Sequence, residues 1–173
     1  MSSSRNSSEK SSRTTVANSG AVEVTLPTDE HIRIVRDFDA PRELIYRAWT
    51  TPGLVSRWWS GQRGTVTSAE IDLRVGGGWR YVMVSRDGTE VAFSGRFREI
   101  APSERLVYTE VLESRPGAEA LTIVTFTEVE GRTTLEILIR YGNRRDRDAH
   151  SAYMSDGLQE ALSMLEEVAL SCR

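Results

Sequence analysis

The sequence predicts an α+β domain in which a strongly curved, seven-stranded antiparallel sheet wraps a long C-terminal helix, with two short helices after the first strand. Three observations predict it. Between Thr65 and Tyr141 apolar residues recur with a period near two in six runs at hairpin spacing. One strand pattern and two short helical patterns precede these runs. From Tyr153 to Leu170 the apolar residues instead follow the three-and-four spacing of a helix with one buried stripe. A helix of about 20 residues is roughly 30 Å long, and only an extended apolar surface, the concave face of the sheet, can cover such a stripe.

Each element has its own signature. Residues 1–20 are rich in serine and nearly free of apolar side chains. Such a segment buries too little surface to offset its ordering entropy and reads as a disordered arm, leaving 21–173 as a single domain. Val22, Val24 and Leu26 alternate with polar residues before Pro27, as a short edge strand or an extended lead-in. From His31 to Phe38, the residues Ile32, Ile34 and Phe38 stand against Arg33, Arg36 and Asp37, a strand with one mostly buried face. Pro41 suits the first position of the helix that follows, and Asp39 and Glu43 place negative charge near its N-terminus. Leu44, Ile45, Ala48 and Trp49 recur at helical spacing until Pro52-Gly53, and Leu54 to Trp59 makes a second short turn.

The strand runs then follow. Gly76-Gly77-Gly78 precedes Trp79 to Val84; without a lysine, a following Ser/Thr motif or a helix it is no phosphate loop, and a bend into a strand is expected. Asp87-Gly88 is a strong hairpin signal, and Ala101 to Arg105, Arg115-Pro116-Gly117 and Glu130 to Arg132 mark further turns. Arg144 to Asp148 alternates in charge, as a solvated loop or first helical turn.

Composition narrows the function. A formal net charge of −3 gives no electrostatic pull toward nucleic acid or an anionic membrane. No apolar run approaches the roughly 20 residues that span a bilayer, and the N-terminus lacks a secretory apolar stretch. Cys172 is the only cysteine, so no internal disulfide forms and a reducing, cytoplasmic compartment is the expectation. His31 and His150 both read as surface termini of elements, with neither metal-type spacing nor a Ser/His/Asp pattern around them. No catalytic residue, metal site or cofactor is therefore assigned.

The order and spacing of several short motifs resemble the START-like superfamily, also called the helix-grip or SRPBCC fold. The similar branch is that of the activator of 90 kDa heat shock protein ATPase homologue-like proteins. The motifs are Phe38 to Leu44 (FDAPREL), Ala48-Trp49, Pro52, Arg57-Trp58-Trp59, Asp72 to Gly77 (DLRVGG), Trp79 to Met83 (WRYVM), Asp87-Gly88, Phe93-Ser94-Gly95, Arg98 to Ile100, Pro102, Glu104 to Leu106 and Tyr108-Thr109. Together they span about Ile32 to Leu170. Family members often carry Gly-Trp in the last helix where this chain has Gly157-Leu158, which implies a differently shaped pocket there. The resemblance implies a cavity between sheet and C-terminal helix; in the superfamily such cavities hold lipids, sterols or polyketides, some members catalyse cyclisation or hydrolysis, and others bind chaperones. Fold alone does not choose among these.

The expected function is non-enzymatic binding of an apolar small molecule, such as a lipid or polyketide, by a monomer or homodimer. The residues expected to line the site are Trp58, Trp59, Trp79, Tyr81, Met83, Phe93, Phe97, Tyr108, Glu110, Tyr153, Met154 and Leu158, an apolar and aromatic set of the kind that lines ligand pockets. Trp49, with one of Trp58 and Trp59, is expected to fill the core, and at most one of Trp58 and Trp59 to touch a ligand at the rim. Glu110 interrupts an apolar strand two residues from Tyr108. Facing inward, it would be a carboxylate with a raised pKa able to act as acid or base; the plainer expectation is that it faces outward or pairs with Arg80 or Arg96. The alternatives are a module that regulates a heat-shock chaperone's ATPase, and a cyclase or hydrolase acting through Glu110 and Tyr108 on a polyketide-like substrate.

Overall fold

The computed structural model describes residues 20–173 apart from Asp156. The Ser-rich arm expected over residues 1–20 lies outside this range except for Gly20. The elements are β1 (Glu23–Thr25), β2 (His31–Phe38), α1 (Arg42–Thr50), α2 (Pro52–Trp58), β3 (Gly64–Ile71), β4 (Gly78–Ser85), β5 (Glu90–Ala101), β6 (Arg105–Leu112), β7 (Ala120–Val129), β8 (Arg132–Arg140), α3 (Arg144–Met154) and α4 (Leu158–Leu170). One antiparallel sheet carries the strands in the order β1-β2-β8-β7-β6-β5-β4-β3. β3 to β8 form a meander, and β2 closes it by pairing with β8 along its full length, His31 opposite Arg140 and Phe38 opposite Thr133.

The sheet has eight strands where seven were expected. The addition is β1, whose three residues are all exposed. It pairs with β2 through the backbone, Val24 opposite Ile34, so ladder hydrogen bonds rather than apolar burial hold it on an otherwise open edge. Bulges between Val66 and Ser68 in β3 and between Phe97 and Glu99 in β5 interrupt the ladders, and bulges bend a strand and increase its twist. The β7–β8 hairpin turns through Glu130 and Gly131 with φ of 52° and 76°, the two positive values that match a tight turn to the right-handed twist of its strands.

Strand parity decides which faces form the core. Ile32, Ile34 and Phe38 of β2 are buried, with Val124 and Phe126 of β7 and Leu135, Ile137 and Ile139 of β8. Arg36 shares their parity and is buried as well, 5 % exposed, which corrects its assignment to the outer face. The cost of burying a guanidinium is offset by partners: Arg36 donates through Nη1 to the carbonyl of Leu162, through Nε to that of Gly20 at 2.8 Å, and lies 3.8 Å from Glu166. It thereby ties β2 to α4. The stripe of α4, with Leu162, Leu165, Val168 and Ala169, joins the same core as Leu44, Ile45, Ala48, Val55 and Trp58 of α1 and α2.

The C-terminal helix is not continuous. α3 ends at Met154 and α4 starts at Leu158, after Gly157 with φ +134°. A side chain disfavours that backbone conformation, so glycine marks the break. The charged run from Arg144 is the first turn of α3. Asn143 caps it, accepting from the Asp146 N–H at 2.8 Å and donating to the Asp146 carboxylate at 2.9 Å. Arg147 is buried rather than solvated: it donates to the carbonyl of Thr28 and to Asp148 at 2.7 Å. Pro41 sits one residue before α1, where its carbonyl accepts from Leu44 and Ile45.

Candidate functional site

The inner face of β4, β5 and β6 carries Trp79, Tyr81, Phe93, Phe97, Tyr108 and Glu110, and the helices close over it from the other side. Three adjoining cavities lie between. The first, about 30 Å³, is enclosed by Trp49, Trp58 and Trp59 from the helices and their junction, and by Trp79, Tyr81, Phe97 and Tyr108 from the sheet. The second, about 110 Å³, is central and is lined by Ile34, Ile137 and Ile139, by Trp59, Arg63, Tyr108, Glu110 and Thr122, and by His150, Tyr153, Met154 and Leu158. The third, about 200 Å³, extends from Phe93, Glu110 and Leu112 to Arg115, Tyr141, Asp146, His150 and Tyr153. Trp49, Trp59 and Tyr108 are shared by the first two, and Phe93, Glu110, His150 and Tyr153 by the last two. The three therefore form one string of spaces that ends at Tyr153, which is 39 % exposed.

Eleven of the twelve expected lining residues border this string. Met83 does not; it has the parity of Tyr81 but is buried, 2 % exposed, beyond the cavities. Of the tryptophans, Trp58 takes the core position expected of one of the Trp58/Trp59 pair, while Trp49 is less buried than expected. Trp58 is the core ring, 4 % exposed, and its indole N–H donates to the carbonyl of Ala48 at 2.9 Å. Trp49 stacks on it at 5.0 Å and is half-buried with an edge on two cavities. Trp59 stands between the first and central spaces, 5.3 Å from the Tyr81 ring and 5.4 Å from that of Phe93. Trp79 is fixed by an indole hydrogen bond to the carbonyl of Thr109 at 3.1 Å. This close approach requires Gly95, where a Cβ would lie 1.7 Å from the same carbonyl oxygen and 2.7 Å from the indole nitrogen.

Glu110 faces inward and, among the described residues, has no arginine partner. Arg80 is engaged by Glu113 at 2.8 Å, and Arg96 donates to the carbonyl of Gly76 at 3.1 Å. The plainer expectation for Glu110 is thus overturned by register: β6 presents Tyr108 and Glu110 to the cavity on the same parity as Leu106. Its carboxyl accepts a single hydrogen bond, from Thr122 Oγ1 at 3.3 Å. Burial raises its pKa to about 7, with only the Thr122 bond opposing. Burial, and then the Glu110 charge, also raise the phenols of Tyr81 and Tyr108, which stay protonated.

Sequence reasoning missed His150 and Arg63. His150 is not a surface terminus: it borders two cavities with its ring 5.3 Å from that of Tyr141, and burial, then the Arg63 charge, lower its pKa to about 4. A signal was present, because His150 lies three and four residues before Tyr153 and Met154, on one helical face. Arg63 gave no signal. It sits in the loop before β3, its Cζ lies 4.9 Å from the centre of the Tyr153 ring, and its side chain packs where a Cβ on Gly157 would lie, 3.2 Å from Cδ. Its Nε and Nη1 are buried and have no hydrogen-bond partner among the described residues. Among the described residues no cluster of His, Cys, Asp and Glu could hold a metal ion.

A meandering antiparallel sheet that grips C-terminal helices around an internal cavity defines the START-like class. Within it, a sequence model described as activator of Hsp90 ATPase homolog 1-like protein matches residues 39–169, and the chain belongs to that family. No curated protein matches it by sequence. Among solved structures, a Rhodobacter sphaeroides protein is 26 % identical with a TM-score of 0.79, covering 88 % of this chain and 100 % of its own. A Nitrosomonas europaea protein is 21 % identical at a TM-score of 0.74, covering 84 % and 97 %. An AHSA1-like protein from Aeromonas hydrophila is 20 % identical at 0.60, covering 81 % and 93 %; these two share the fold alone. No helix among the described residues is long and apolar enough to cross a membrane.

Proposed function

We propose that the protein binds an apolar small molecule in the string of cavities between β4–β8 and the helices. The observation that carries this reading is the composition of the walls. Aromatic and aliphatic side chains from the sheet and from all four helices converge on shared, partly empty spaces, and a few polar groups converge at the central one. Apolar walls with a few placed polar groups are what a small-molecule site requires. Trp58, Trp59, Trp79, Tyr81, Phe93, Phe97, Tyr108, Tyr153, Met154 and Leu158 would form the apolar contacts, with Glu110 as a polar contact. The chaperone-regulating alternative has the family description behind it and no specific surface feature.

The test is a thermal-shift panel of lipids, fatty acids and aromatic polyketide-like compounds, with mass spectrometry of the native protein for a retained ligand. A binding member present at about one hundred times its dissociation constant stabilises the fold by about 2.7 kcal/mol. A panel without any shift, together with stimulation of a chaperone's ATP turnover by the protein, overturns the reading in favour of the alternative.

A further inference from the structure

Resting on the binding function proposed above, we infer that the ligand is an apolar molecule carrying a single carboxylate, held at the central cavity by the Arg63 guanidinium, with the Glu110 carboxyl lining the same cavity. Arg63 is the arginine that lines that cavity. Its Nε and Nη1 are buried and have no hydrogen-bond partner among the described residues. Unmade hydrogen bonds of this kind are costly in a folded protein, and Nε and Nη1, on different edges of the guanidinium, each leave a charge-assisted donor for a carboxylate oxygen.

The other charged and titratable groups around Glu110 fit a monoanion. From the loop after β6, Arg115 is engaged by Asp146 of α3 at 3.5 Å. From α3, His150 is held neutral, its pKa lowered to about 4. The phenols of Tyr81 and Tyr108 stay protonated on β4 and β6, and Tyr141 and Tyr153 present rings. Glu110 shares the central cavity with Arg63 but the two do not pair, since Glu110 takes its bond from Thr122. With a pKa of about 7 it keeps its proton under mildly acidic conditions and has an O–H to donate. Among its lining residues the cavity then has one positive charge, that of Arg63, and apolar walls. A cationic ligand would meet Arg63, and a phosphate would bring a second negative charge with no second cation to meet it.

The experiment compares head groups on fixed bodies by calorimetry at pH 6: decanoate, decan-1-ol and decylamine as the chain series, and 2-naphthoate and 2-naphthol as the ring series. The expected result is that, in at least one series, the acid binds about tenfold or more tightly than the alcohol, as charge-assisted hydrogen bonds imply. The series that binds tells an acyl-chain source from an aromatic one. Arg63→Gln should abolish the acid preference while alcohol binding persists, and Arg63→Lys, which keeps the charge without the fork, should restore part of it. Above pH 7 the wild-type affinity for the acid should fall by up to about tenfold per pH unit as Glu110 ionises, and Glu110→Gln should flatten that dependence. Alcohol or amine binding as tightly as acid, or an acid preference that survives in Arg63→Gln, overturns the carboxylate inference and leaves the binding function standing. Failure of every compound in both series to bind overturns the carboxylate inference, and the binding function falls with it if the wider lipid and polyketide panel gives no shift and the protein stimulates a chaperone's ATP turnover.

Discussion

Thr122 Oγ1 donates to Glu110 Oε2 at 3.3 Å, and this is the one side-chain hydrogen bond the Glu110 carboxyl makes among the described residues. One long bond offsets little of the penalty for placing a carboxylate among Phe93, Tyr108, Leu112 and the isoleucines of β8, so the group is held protonated until about pH 7.

Stability should therefore depend on pH with an unusual sign. Glu110 has a folded pKa of about 7 against 4.5 when unfolded. Between these values the folded state binds more protons, so the Glu110 contribution falls as pH rises from about 4.5 to 7 and then levels off. Glu110→Gln should match the wild type near pH 4.5 and exceed it at pH 8 by up to about 3 kcal/mol, measured as urea-unfolding free energies at the two pH values. Equal stabilities at pH 8 would show that Glu110 is ionised in the folded state without penalty.

His150 should act in the opposite direction. Its folded pKa of about 4 lies below the ordinary 6.5, so the unfolded chain binds the extra proton and stability falls as pH drops from 6.5 toward 4. In the wild type this slope opposes that of Glu110 between about 4.5 and 6.5. His150→Gln should remove the acid-side loss, on the order of 2 kcal/mol after discounting for the half-buried ring. It should leave a profile that declines steadily toward neutral pH. Imidazole proton NMR titration of the folded protein provides the direct check.

Gly95→Ala should be strongly destabilising. The added methyl meets the Thr109 carbonyl oxygen and the Trp79 indole, backbone on one side and a buried ring on the other, so neither can yield cheaply. A loss of about 3 kcal/mol or more is expected by chemical denaturation. Trp79→Phe, which removes only the indole bond to Thr109 and part of the ring, should lose less, about 1–2 kcal/mol.

Trp59→Ala should separate packing from binding. Trp59 is only half-buried, so its loss of stability should stay near about 2 kcal/mol, below the 3–5 kcal/mol of a fully buried aromatic. Yet Trp59 is the partition between the first and central cavities. The variant should accept longer ligands than the wild type and bind short ones about tenfold more weakly, read as a shift in chain-length preference. An unchanged preference would place the ligand elsewhere.

Much of the fold was legible in the chain because it rests on local signals. Period-two runs, Asp87-Gly88 and the helical spacing of α1 and α4 are each set by a few adjacent residues, and the family motifs added the connection between them. The cavity walls followed from strand parity once a face was known to be inside. On that reasoning Trp79, Tyr81, Phe93, Phe97 and Tyr108 were expected to face the cavities, and they border them. The expectation failed for Met83, because being on the inner face does not fix how far along a strand an empty space extends. It failed for Arg36 because a charged side chain was read as outward despite its parity.

What the sequence by itself determined is the order and type of the elements, the apolar face of each, and the aromatic character of the site. Hydrophobic periodicity and turn chemistry are properties of neighbours along the chain. The tertiary structure alone decided the polar end of the site. Arg63 from a loop, Glu110 from β6, Thr122 from β7 and His150 from α3 border one cavity only because the sheet curves and Gly157 breaks the C-terminal helices at that point. The charge state of each group is set by the surroundings that folding assembles, and no pattern of spacing encodes them.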